Sequence, residues 1–139
     1  QPGNGAGGEQ GAGAQAEREA GHRVRVKARA MGDLVLDTTD PFNACPDAGF
    51  SFIGDTRDAR ILSVAVDTAD PQDIIVTLDR DLGEKVQLRY AIGMAPHGHD
   101  QPLAGYPAAR GALREATALA QGDDTPMYRW ALPCVLDVH

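Results

Sequence analysis

Hydrophobic residues in this chain recur at alternate positions, in short stretches broken by turn residues. From residue 22 to 30 the basic residues Arg23, Arg25, Lys27 and Arg29 alternate with Val24, Val26, Ala28 and Ala30. That is the pattern of a strand with one buried and one solvated face. A short apolar run, Leu34-Val35-Leu36, lies within residues 33–38, and another occupies residues 50–53 between Gly49 and Gly54. Over residues 61–67 the same period puts Leu62, Val64 and Val66 on one face. Over 73–79 it does so for Ile74, Val76 and Leu78, and over 85–92 for Val86, Leu88, Tyr90 and Ile92. Residues 127–138 form an aromatic and β-branched final strand.

The punctuation fits hairpins. Asp70-Pro71-Gln72-Asp73 and residues 79–84 separate three consecutive strands, which predicts a β-meander. Short strands at this spacing imply an all-β fold, an antiparallel β-sandwich of jelly-roll or Ig-like type. Residues 112–121 hold good helix formers, with Leu113, Ala116 and Ala120 on one stripe but no clear N-cap. They allow at most one short helix.

Composition divides the chain. Residues 1–21 contain seven glycines and no Val, Ile, Leu, Met or aromatic residue. Such a segment buries too little apolar surface to offset its ordering entropy, so it reads as a disordered Gly-rich linker or tail. Residues 22–139 suffice for one β-sandwich module with one core. The chain begins at Gln1 rather than Met, as a processed product or an excised piece would. No apolar run is long enough to span a bilayer as a helix. The net charge of −7 argues against nucleic acid as a partner, since phosphate binding wants a basic surface. The basic face of residues 23–29 reads as a solvated strand face whose charges discourage edge-to-edge pairing.

Candidate chemistry is sparse. Gly54-Asp55-Thr56, after an apolar run, has the look of a nucleophile block, but Thr stands where Ser is expected. A turn between strands is the simpler reading. His97, His99 and Asp100 offer two imidazoles and a carboxylate without a fourth ligand, so no metal or other cofactor is expected. Asp137 and His139 resemble a catalytic pair that no serine completes, and His139 is expected to be mobile as a terminal residue. Cys45 and Cys134 either bridge or stay free; neither has the basic neighbour that activates a thiol. Trp130, the only Trp, is expected in the core.

An ordered set of segments carries a resemblance. It runs from the basic first strand through Leu34-Val35-Leu36-Asp37-Thr38-Thr39, Gly49-Phe50, Ser63-Val64 and Arg89-Tyr90-Ala91. It ends with Arg110-Gly111-Ala112-Leu113-Arg114 and the strand bearing Trp130. This order resembles the C-terminal β-rich accessory module of SGNH-type, sialate O-acetylesterase-like carbohydrate esterases, often encoded in prophages. Ala112 replaces the Asn usual in those proteins, and Glu115 the usual Asp.

The resemblance implies a non-catalytic module, not itself an enzyme, that packs against the esterase domain of the same polypeptide and contacts carbohydrate. The setting it implies is extracellular, periplasmic or on a virion, with the cytoplasm left open. Ligand contact is expected along residues 96–114, through Arg110, Arg114, Tyr106, His97 and His99. The alternatives are a secreted or virion-surface structural protein, and a small esterase in its own right.

Overall fold

A computed structural model describes residues 14–29, 32–39, 46–91, 111–119, 128 and 130–139. The fold is all-β with antiparallel sheets, and none of the described residues is α-helical. The strands are β1 (Gln15–Glu19), β2 (Arg23–Lys27), β3 (Leu34–Leu36), β4 (Phe50–Ile53), β5 (Ile61–Val66), β6 (Asp73–Leu78), β7 (Gln87–Tyr90), β8 (Leu113–Glu115) and β9 (Cys134–Asp137). A 3₁₀ turn at Pro46–Gly49 leads into β4.

Among the described residues three sheets form, ordered β1-β2-β6-β5, β9-β7-β4 and β3-β8. The first two are stitched together at the chain's end. Val138 bridges Ala16 in parallel, the Arg18 amide donates to the His139 carbonyl at 2.8 Å, and the His139 amide donates to Ala16 at 2.9 Å. The β3-β8 pair is fastened to the rest by main-chain bonds from Leu34 to Pro71, Ala112 to Ala48 and Ala131 to Leu113.

Period two explains the core. In the four-stranded sheet Val24 faces Val76 and Val26 faces Ile74, and all four are buried. In the three-stranded sheet Phe50 faces Tyr90 and Phe52 faces Leu88, and this face packs on the same cluster. The Phe50 and Tyr90 rings lie 4.8 Å apart at 51°, a tilted arrangement that suits two ring quadrupoles. Leu34 and Leu113 close the cluster from the third sheet.

Several expectations are corrected. The segment assigned to disorder through residue 21 contains β1. Ala16, wholly buried, is its one fully inward residue, and its backbone pairs on both sides. Ion pairs do what apolar side chains do elsewhere: Glu17 meets Lys27 at 3.3 Å, and Glu19 meets Arg25. Residues 1–13 lie outside the described set.

The meander breaks after β6, because β7 pairs with β9 and β4 rather than with β6. The connecting loop buries Leu82 and Val86 as it crosses. In β5 a register shift between Ile61 and Ser63 turns Leu62 outward, to 65% exposure. Such a bulge re-aims the side chains that follow it. No helix starts at residue 112: Leu113–Glu115 is a strand on β3, with Leu113 facing Leu36.

At the centre of the basic face of β2, Arg25 is neutralised rather than simply solvated. Arg25 donates to Glu19, to Asp67 at 2.7 Å and to Asp73 at 2.9 Å. These bonds, the Glu19 bond foremost, hold its guanidinium well above the usual arginine range. Among the described residues no helix is long and apolar enough to cross a membrane.

Candidate functional site

Of the five residues expected to meet a ligand, Arg114 alone is described. His97, His99, Tyr106 and Arg110 lie outside the described residues. The site is therefore built from residues 111–114 and what surrounds them.

Gly111 adopts φ +78°, a left-handed conformation that costs glycine little. It lies directly on Tyr90: a Cβ placed there would sit 2.5 Å from the phenolic oxygen. That oxygen accepts the buried Leu113 amide at 2.9 Å. Ala112 is wholly buried; its amide donates to Ala48 at 3.1 Å and its carbonyl accepts Asp37 at 2.7 Å.

Arg114 is mostly enclosed. Its Nε donates to Asp37 Oδ2 at 2.9 Å, its Nη1 donates to the Glu115 carbonyl at 2.8 Å, and its guanidinium lies 3.7 Å from the Tyr128 ring centroid. Asp37 also accepts the Thr39 hydroxyl at 2.6 Å and the Thr39 amide at 3.0 Å. The Thr39 hydroxyl first, then Arg114, holds the Asp37 carboxyl down at about 2. A charge-assisted donor fixed in this way, stacked on an aromatic face, is a stiff strut. The sequence reading missed both partners of Arg114. Asp37-Thr38-Thr39 carried a signal for one of them, as Asp two residues before a Thr favours a local turn.

Beside this strut lies an apolar cavity of about 270 Å³, lined among others by Phe50, Tyr90, Leu113, Trp130 and Pro133. Trp130 is half-buried at its wall, bridged through its backbone to Arg114, rather than enclosed in the core. Leu132 is 79% exposed on the same lining.

The other candidates serve the backbone. Asp55 accepts the amides of Gly83 at 2.7 Å, Ala59 at 2.7 Å and Arg57 at 3.1 Å. These bonds outweigh its desolvation and lower its pKa. Gly54 has φ +86° and Thr56 is exposed, so Gly54-Asp55-Thr56 is a turn stapled by its own carboxylate. The His139 main chain is held to β1 at both its amide and its carbonyl, so the mobile terminus expected there is instead pinned. Asp137 accepts Gln87 at 3.1 Å.

Cys134 is a free thiol, and burial pushes its pKa up, away from the reactive thiolate; Cys45 lies outside the described residues. Arg89, on the other face of β7 from Tyr90, has its Nε buried without a hydrogen-bond partner among the described residues. No His, Cys, Asp and Glu cluster suited to a metal ion occurs among the described residues. No protein-family model, curated protein or solved structure matches the chain.

Proposed function

We propose that this chain is a non-catalytic β-sandwich module of a modular SGNH-like carbohydrate esterase, packing against the esterase domain and lending it a surface for glycan. The observation that carries this reading is how the Arg-Gly-x-Leu-Arg stretch is used. From Gly111 to Arg114 its groups brace Tyr90, Ala48, Asp37 and Tyr128. A motif used in this way marks a scaffold, and scaffolds carry function in the loops that they hold. Acyl transfer needs a nucleophile, a base in reach and oxyanion donors. The nearest nucleophile mimic, Thr56, instead follows an aspartate whose oxygens serve three backbone amides.

Two measurements test the proposal. A chromogenic acetyl ester is offered to the wild-type chain and to Thr56→Ala. Background rates from both are expected, whereas turnover that vanishes in the variant would make the chain an esterase. Intact mass of the native product addresses the module itself. A much longer polypeptide carrying an esterase domain is expected, and a native product no longer than this chain would contradict the reading.

A further inference from the structure

A second cleft, of about 410 Å³, lies where the turn between β1 and β2 meets the loop after β6. Val24, Leu78 and Leu82 are its buried, apolar lining, and Arg18, Arg23, Arg57 and His22 are its exposed one. The acidic groups in the lining are Glu19 and Asp81. Three guanidiniums against two carboxylates make this cleft positive on a chain whose net charge is −7.

The carboxylates are also taken. Glu19 serves Arg25, with Arg23 more distant at 3.9 Å, and Asp81 serves His22 at 2.7 Å. Arg18 donates to the carbonyls of Leu82 and Glu84, at 3.2 and 2.8 Å, which orient it without cancelling its charge. The Arg57 side chain has no hydrogen-bond or ion-pair partner among the described residues.

His22 is held in place at a cost. Its φ of 59° is left-handed, directly after Gly21 at 83°, and its carbonyl accepts the Leu78 amide at 2.7 Å. A non-glycine residue kept there stores backbone strain. Asp81 Oδ1 takes up His22 Nδ1 at 2.7 Å, which leaves the second ring nitrogen, Nε2, for a ligand hydroxyl. The cleft thus presents guanidiniums for an oxyanion, a ring nitrogen for a hydroxyl and an apolar wall for a carbon face.

We infer that this cleft binds a hydroxylated oxyanion about the size of one sugar ring, a sugar acid or a sugar phosphate, through Arg57, Arg18 and His22. Its volume lies in the range of small-molecule sites. The inference stands apart from the esterase-module reading and survives or fails without it.

The test is an NMR titration of the full chain with glucuronate, glucose 6-phosphate, glucose and sodium chloride, following the Gly21 and His22 amides and the Arg57 Nε–H. Saturable shifts are expected with at least one of the two anions and with neither glucose nor the salt; which anion saturates tells a carboxylate from a phosphate. Arg57→Gln should weaken that binding at least about tenfold, the loss expected for one charge-assisted bond. Lys85→Gln should leave it unchanged, since the exposed Lys85 lies outside the lining. Both variants alter exposed side chains, and an unchanged spectrum elsewhere establishes that they fold. No saturation with either anion, equal response to chloride or glucose, or full affinity in Arg57→Gln would overturn the inference.

Discussion

The Tyr90 hydroxyl accepts the Leu113 amide at 2.9 Å inside the core, and Gly111 lies against the same ring. One phenol therefore joins β7 to β8, two strands that belong to different sheets. Tyr90→Phe leaves a buried N–H without its acceptor and is expected to cost about 1–3 kcal/mol in urea unfolding. Gly111→Ala adds a Cβ 2.5 Å from that oxygen at a backbone angle that disfavours side chains. Strain and overpacking together predict a loss of about 2–4 kcal/mol. A Gly111→Ala protein as stable as wild type would show that the ring and the glycine are not in contact.

β1 is expected to contribute to stability despite its composition. A chain starting at Ala20 should melt several degrees below one starting at Ala14, because it loses the Ala16 contact, two lines of backbone pairing and the Glu17 and Glu19 ion pairs. Equal melting temperatures would mean that the strand adds nothing.

Much of this was legible. The period-two runs at Val24 and Val26, at Ile74 and Val76, and at Leu88 and Tyr90 became the buried faces of β2, β6 and β7. What composition concealed was β1, because Gln15–Glu19 is fastened by backbone bonds and charges rather than by apolar bulk. Its signal was there in acidic positions 17 and 19, set across Gly21 from basic positions 23, 25 and 27. Leu62 misled because a bulge shifts facing by one residue without any mark in the hydrophobic pattern. At the candidate site the sequence singled out Arg114 but not what would hold it. Asp37 lies 77 residues away, and local spacing cannot report such a pairing.

Asp55 should prove to be a fold residue. Asp55→Ala removes the acceptor for three amides. A loss of about 2–3 kcal/mol is expected, near the cost of stranding partly buried donors. Stability within about 0.5 kcal/mol of wild type would show that water replaces the carboxylate at little cost.

Acid should act on Asp37. Its pKa is lowered from 3.8 to about 2 by Thr39 and Arg114, and its side chain is 13% exposed. A carboxyl depressed in the folded state contributes stability above its unfolded pKa and loses it as pH falls toward the folded one. The contribution, about 2 kcal/mol, should disappear between about pH 4 and pH 2. In Asp37→Asn this part of the acid dependence should be absent. If the variant keeps the full wild-type dependence, Asp37 is not the group responsible.

The central claim is that the Arg-Gly-x-Leu-Arg stretch builds the fold, with Arg114 committed to Asp37. A double-mutant cycle of Asp37→Ala and Arg114→Ala, read by urea unfolding, tests it most directly. Each single variant is expected to lose roughly 3 kcal/mol, since each strands a partly buried charge, and the pair should show a coupling of about 2 kcal/mol. A coupling near zero, with Arg114→Ala costing less than about 0.5 kcal/mol, would contradict the claim and leave the guanidinium free for a ligand.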